Sequence, residues 1–287
     1  MRDFYASTGS MPLDQADGLR RMFAGARARC LIPLAANPHV PYAGAVIGRL
    51  TQVLSAAGRR TLVVDAADSA PAPSELARLD LASVVEVLDP AVSYLAARGL
   101  PLAFVDTHGS AARLIDAVLD AAPQVDVVLV HAGATDLARI FARRAARPVL
   151  IAADDPDSVK HAYASAKLLA LRAGLRTFDA VLVADPASRR LARIAQSLAG
   201  CADAFLGCAM RAWAAVDPAA DVQAPPRDDQ VRLVAGQLAL DAMPGDTPAA
   251  TARGPVEPAS GGRGGGGGGG PPPPPPPGGG GGGSKTP

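Results

Sequence analysis

The residues able to carry acid–base or metal chemistry stand at the ends of short apolar runs. TLVVD ends in Asp65, DVVLVH ends in His131, and LAFVD ends in Asp106, with His108 two residues on. Asp65, His108 and His131 together have the groups for a metal ligand set or an acid/base cluster. Each alone reads as a strand-end residue satisfied by its own neighbours. Asp106-Thr107-His108-Gly109 poses a similar choice, between a displaced functional acid and an aspartate capping the following helix. His39, His108, His131 and His161 form no HxxxH or HExxH pattern. Cys30, Cys201 and Cys208 are odd in number, without a CxxC pair or metal-type spacing to a histidine. They read as small core residues in a reducing compartment, not as a disulfide framework or zinc site.

Phosphate binding is the other chemistry that an apolar run followed by a helix can support. Such a loop needs small residues whose N–H groups close on the phosphates, a lysine for their oxygens and a hydroxyl for Mg²⁺. Counted back from the first long helical segment, the lysine position falls at Ala43 and the hydroxyl position at Gly44. Pro38 and Pro41 have no N–H to donate, His39 and Tyr42 put bulk where glycine is wanted, and residues 33–48 contain no lysine. His131 occupies the place of a Mg²⁺- or water-organising aspartate. Asp65 is the one acid retained.

These positions are set by a repeating pattern. Buried-strand runs occur at 30–35, 61–65, 102–106, 126–131, 148–153 and 178–185, with helical spacing over 43–57, 111–121, 134–146, 157–173 and 186–198. Strands apolar on both faces alternating with helices predict an α/β three-layer sandwich around a mostly parallel sheet. Its ligands would sit at the carboxyl ends of the strands. Hydrophobic residues are 49% of the chain but aromatics only 4%, so the core is built from Ala, Leu and Val. A net charge of +1 gives no pull toward nucleic acid or an anionic membrane, and Arg143, Arg144 and Arg147 read as a solvated helix face. No signal peptide or membrane-length apolar run is present, so the chain reads as cytoplasmic. Three segments follow: 1–29, an N-terminal segment; 30–243, the α/β domain; and 244–287, a Gly/Pro tail with nothing apolar to bury, expected to be disordered.

Over residues 13 to 243 the order of elements resembles the MinD/ParA-type P-loop ATPases, and within them the FlhG (FleN) regulators of flagellar number and placement. Asp14-Gln15-Ala16-Asp17-Gly18-Leu19-Arg20 is similar to that group's DQAxxLR activator motif, matched at Asp14, Gln15, Ala16, Leu19 and Arg20. In the group this motif docks on the SRP-type GTPase FlhF and stimulates GTP hydrolysis. Gly58–Asp65 resembles the second-strand segment bearing the family's retained aspartate. Asp157–Tyr163 resembles a helix with a recurring Ser-x-x-x-Ala-Tyr pattern, and Ala180–Asp185 a strand that ordinarily ends in an adenine-reading Asn, here Ala184.

The departures fall on the nucleotide site. Ala43, Gly44, His131 and Ala184 replace the lysine, the hydroxyl, the metal-side acid and the base reader, leaving Asp65. The resemblance therefore implies the fold and the partner set, while these losses speak against ATP and Mg²⁺ as cofactors and against ATP-dependent homodimerisation. The implied function is a non-catalytic regulator, a pseudo-ATPase acting through its N-terminal helix on an FlhF-like GTPase. Flagellar switch or basal-body proteins are further partners in this reading, and recruitment to the cell pole or membrane goes through a partner. The alternative is an active MinD-like ATPase switch with an unorthodox phosphate loop. Asp228–Met243, with one arginine and no aromatic residue, is expected to cover the core rather than insert into a membrane.

Overall fold

A computed structural model describes residues 29–240 apart from Leu79 and Val222. The DQAxxLR-like positions Asp14, Gln15, Ala16, Leu19 and Arg20 and the tail from 244 lie outside the described residues.

Eight strands are described: β1 (Cys30–Ala35), β2 (Thr61–Asp65), β3 (Glu86–Asp89), β4 (Val92–Ala96), β5 (Val127–Ala132), β6 (Val149–Ala153), β7 (Thr177–Val183) and β8 (Ala209–Val216). They form one sheet in the order β3-β4-β2-β5-β1-β6-β7-β8. Every pairing is parallel except that of β3 with β4. The helices are α1 (Ala43–Ala56), α2 (Leu100–Ala103), α3 (Arg113–Ala121), α4 (Ala134–Ile140), α5 (Pro156–Ala173), α6 (Arg190–Leu206) and α7 (Asp228–Leu238).

The central strands are buried on both faces, and their alternate residues feed two separate cores. Val127 and Leu129 of β5 join Val46, Leu50 and Leu54 of α1 and Leu233 and Val234 of α7 on one face. Val128 and Val130 join Leu114 of α3, Leu137 of α4, Leu169 of α5 and Leu198 of α6 on the other. The period of two along each strand thus splits its apolar residues between two helical layers. The expected three-layer α/β sandwich is what the chain forms.

Several local expectations are corrected. Residues 102–106 are not a strand: Gly99, at φ +73°, and Pro101 initiate the short helix α2, since proline fits the first helical turn and has no N–H for a ladder. The strand beside β2 is instead β4, VSYLA, in register with it from Thr61↔Val92 to Asp65↔Ala96. Strands β3 and β8 have no counterpart among the expected apolar runs. The helix begun at Ala134 ends at Ile140 rather than 146, with Arg143 at φ +67° beyond it. The helix expected over 186–198 is α6, Arg190–Leu206, closed by Gly207 at φ +58°. Arg147 is not a solvated helix residue. Its side chain is only 12% exposed and reaches the buried Asp179.

Helix α7 covers the core as expected, although Gln230, Leu233, Val234 and Gln237 are its buried residues and Val231 faces out. Among the described residues no helix is long and apolar enough to cross a membrane. Cys30 and Cys208 are buried, while Cys201 is only partly so.

Candidate functional site

The order of the sheet reverses at β1, whose neighbours are β5 and β6. The chain leaves β1 for α1 on one face, and leaves β5 and β6 for α4 and α5 on the other. The loops diverge and leave a crevice at the strands' carboxyl ends, the usual ligand position in open α/β sheets. A cleft of about 680 Å³ lies there. Its walls are the loop after β1 and the start of α1, the ends of β2 and β5, the start of α4, and one face of α5.

The loop after β1 is held by a residue the sequence reading passed over. Asn37, 4% exposed, donates through Nδ2 to the carbonyls of Ile151 (2.8 Å) and Ser158 (2.9 Å), and its Oδ1 accepts from the amide of His39 (3.1 Å). Ser158, fully buried, accepts from the Ala153 amide through Oγ at 2.6 Å. One amide side chain therefore ties β1 to the β6–α5 junction. That junction is itself ordered by Asp155, which caps α5 by accepting from the amides of Asp157 and Ser158, with Pro156 in the first turn. The signal in the sequence was Asp-Pro-Asp-Ser after an apolar run. Nothing local announced its link to Asn37.

At the floor of the cleft, parallel pairing sets Asp65 opposite His131 in adjacent strands. Their side chains meet, with His131 Nδ1 2.8 Å from Asp65 Oδ1. Asp65 also accepts from the Ala67 amide at 3.3 Å and from the Tyr94 hydroxyl, through Oδ2, at 3.3 Å. Burial, reinforced by the Asp65 charge and hydrogen bond, pushes the Tyr94 phenol up to about 12. In the neutral ring that donates from Nδ1 to the Asp65 carboxylate oxygen, Nε2 is the acceptor. The imidazole is 2% exposed, and its Nε2 is buried with no hydrogen-bond partner among the described residues.

On the α5 wall, His161 lies edge-on to His39, ring centroids 5.7 Å apart. Burial first, then the neighbouring His39, hold its imidazole below the usual range, while a hydrogen bond with the Ala36 backbone acts in the opposite direction. His161 is therefore uncharged at neutral pH. No lysine or arginine lines the cleft.

Of the positions expected to mark the site, Ala43, Gly44, Asp65 and His131 all line this cleft. Ala184 does not. It packs on the core, and its amide donates to the Val216 carbonyl. His108 is also outside the cleft. Asp106, no longer at a strand end, accepts from the amides of His108 and Ser110, both at 2.9 Å. Those bonds hold its carboxyl below the usual range. The aspartate closes a local turn, so Asp65, His108 and His131 do not form one cluster. No group of three or more His, Cys, Asp or Glu side chains among the described residues is arranged for a metal ion.

No protein-family model and no curated protein matches the sequence. Solved structures do share its architecture. A variant of McdA from Cyanothece, in complex with ATP, superposes with a TM-score of 0.52 at 12% identity, over 74% of this chain and 97% of that one. MinD from Aquifex aeolicus gives 0.49 at 11% identity, over 73% and 97%. A ParA family ATPase from Chlorobium tepidum gives 0.43 at 14% identity, over 75% and 96%. The chain shares the fold of the McdA structure, an α/β arrangement in which, among the described residues, an eight-stranded, mostly parallel sheet lies between two helical layers.

Proposed function

We propose that this chain is a non-catalytic regulator of the FlhG type, in which the MinD-like domain is a scaffold and the N-terminal segment acts on an SRP-type GTPase of the FlhF kind. The observation that carries the reading is the makeup of the cleft. It has no cationic side chain to meet a polyphosphate, two prolines in its loop, and an aspartate already engaged by His131 and Tyr94. Charge-assisted contacts supply most of the recognition and catalysis in phosphoryl-transfer sites. Residues that hold ATP and Mg²⁺ in such folds are replaced here, and those present do not fit the nucleotide. Activity is then left to the DQAxxLR-like segment, whose match lies in the sequence alone. Flagellar number and placement is the process assigned by that match.

Gln15 has an amide that donates and accepts, suited to orienting a hydrolytic water or a switch loop of the partner. Arg20 has the fork geometry to anchor the helix on carboxylate or phosphate groups. The test is single-turnover GTP hydrolysis by the GTPase with the full chain, with a peptide of residues 1–29, and with each variant. Gln15→Ala should abolish stimulation with the fold intact, whereas Arg20→Ala should weaken binding more than turnover. If neither peptide nor full chain changes the rate, the proposal fails. Calorimetric titration with Mg²⁺-ATP decides the alternative: a micromolar Kd would make the domain an ATPase switch with an unorthodox loop.

A further inference from the structure

We propose that the cleft at the carboxyl ends of β1, β2 and β5 is a binding site for a small organic ammonium ligand, a primary amine with an apolar body, anchored by an N–H donated to His131 Nε2. The inference rests on the reading that this cleft no longer takes a phosphorylated nucleotide.

The anchor is an unfilled acceptor. His131 is buried, its Nδ1 is committed to Asp65 at 2.8 Å, and Nε2 has no partner among the described residues. A buried polar atom left unpaired costs free energy that a ligand recovers by supplying the missing bond. In the ring that donates from Nδ1 to Asp65, Nε2 keeps a lone pair with no partner among the described residues. The missing group is therefore a donor.

The charge of the cleft selects among donors. Asp65, Asp68 and Asp136 line it, no lysine or arginine is among its lining residues, and His161 is uncharged at neutral pH. Asp136 is paired with Arg139 at 2.8 Å, so Asp65 and Asp68 set the sign. The amide end of α1 borders the same space, but an anion placed there would face both carboxylates without a cationic side chain. Apolar contact is available from Ile47 and Leu168 on opposite walls. An ammonium group on an apolar body satisfies the acceptor, the charge and the walls together.

The test follows the histidine ring nitrogens of the ¹⁵N-labelled full chain during titration with cyclohexylammonium, cyclohexanol or inorganic tripolyphosphate. Cyclohexylammonium should shift the His131 Nε2 resonance saturably, cyclohexanol should bind at least about tenfold more weakly, and tripolyphosphate should leave the ring unmoved. Asp65→Asn turns the partner of Nδ1 into an amide that can donate, which favours the opposite tautomer. It should move the proton to Nε2, visible in the same spectrum, and abolish the response. Ala164→Phe, at an exposed position of α5 lining the cleft, should weaken binding at least about tenfold without lowering the melting temperature. No saturable response to cyclohexylammonium overturns the proposal and leaves the nucleotide-loss reading standing if tripolyphosphate and Mg²⁺-ATP are also inert. A saturable response to Mg²⁺-ATP overturns both.

Discussion

The carboxylate of Asp179, fully buried in β7, lies 2.9 Å from Nε of Arg147, which precedes β6. Gln237 of α7 joins the pair, donating from Nε2 to Asp179 Oδ2 at 2.8 Å and to the Arg147 carbonyl at 2.9 Å. The Ala212 amide of β8 donates to the other carboxylate oxygen at 3.0 Å. One buried ion pair thus ties the far half of the sheet to its last described helix. Removing one member of such a pair leaves an uncompensated charge, so Arg147→Ala should destabilise the fold by about 3–5 kcal/mol in urea unfolding. Gly236→Ala tests the same contact from the helix side. Alanine ordinarily gains up to about 1 kcal/mol over glycine in a helix, but a Cβ there would meet Arg147 Nη2 at 2.8 Å. The gain should be absent.

Asp179 also makes a pH prediction. Burial raises its carboxyl above the usual range, against the opposing pull of Arg147, Gln237 and the Ala212 amide. A raised folded-state value means that the protonated form is favoured by folding. Its contribution is fully present below the unfolded carboxyl range and is lost as pH rises through the folded value. Asp179→Asn removes this titration. The wild-type stability relative to the variant should therefore be greatest in acid and fall as pH rises through the elevated carboxyl range, measured by urea midpoints at each pH.

Tyr94 gives a spectroscopic readout of the cleft floor. Its phenol should ionise at about 12 in an ultraviolet pH titration, above the usual value of 10.0. The stability tied to this shift is present below the ordinary phenol range and lost between it and about 12. Asp65→Asn should move the ionisation only part of the way back, because burial, the largest cause, remains.

Asn37→Ala should cost about 1–3 kcal/mol, since it strips the buried Ile151 and Ser158 carbonyls of the Nδ2 donor they share. Urea unfolding measures this. Thermal melting should report a loss of the same sign.

Composition alone predicts the effect of truncation after Pro244. Residues 245–287 have long Gly and Pro runs and little apolar surface, so their removal should delete no buried contact. The melting temperature should stay within error of the full chain, and a clear loss would show that the segment packs.

The sequence by itself determined the architecture and the residue types of the loop after β1. Valine-rich runs such as VVLVH can be buried on both faces only between two helical layers, and the absence of lysine from 33–48 is a fact of composition. The start of α5 was legible because caps are local: Asp155, Pro156 and Ser158 act within one turn. Tertiary structure decided what depends on partners distant in the chain. LAFVD has a strand's composition, but Gly99 and Pro101 made a helical turn of its start, and VSYLA took the place beside β2 despite Ser93 and Tyr94. Asp65 and His131 were both marked as site residues, yet only parallel register across β2 and β5 joins them and leaves His108 elsewhere. Arg147 read as a solvated charge because its counter-ion lies in another strand. Side-chain periodicity and capping act over a few residues and are written in them, whereas the pairing that makes a buried acid, an ion pair or an unfilled imidazole nitrogen is fixed only when the sheet closes.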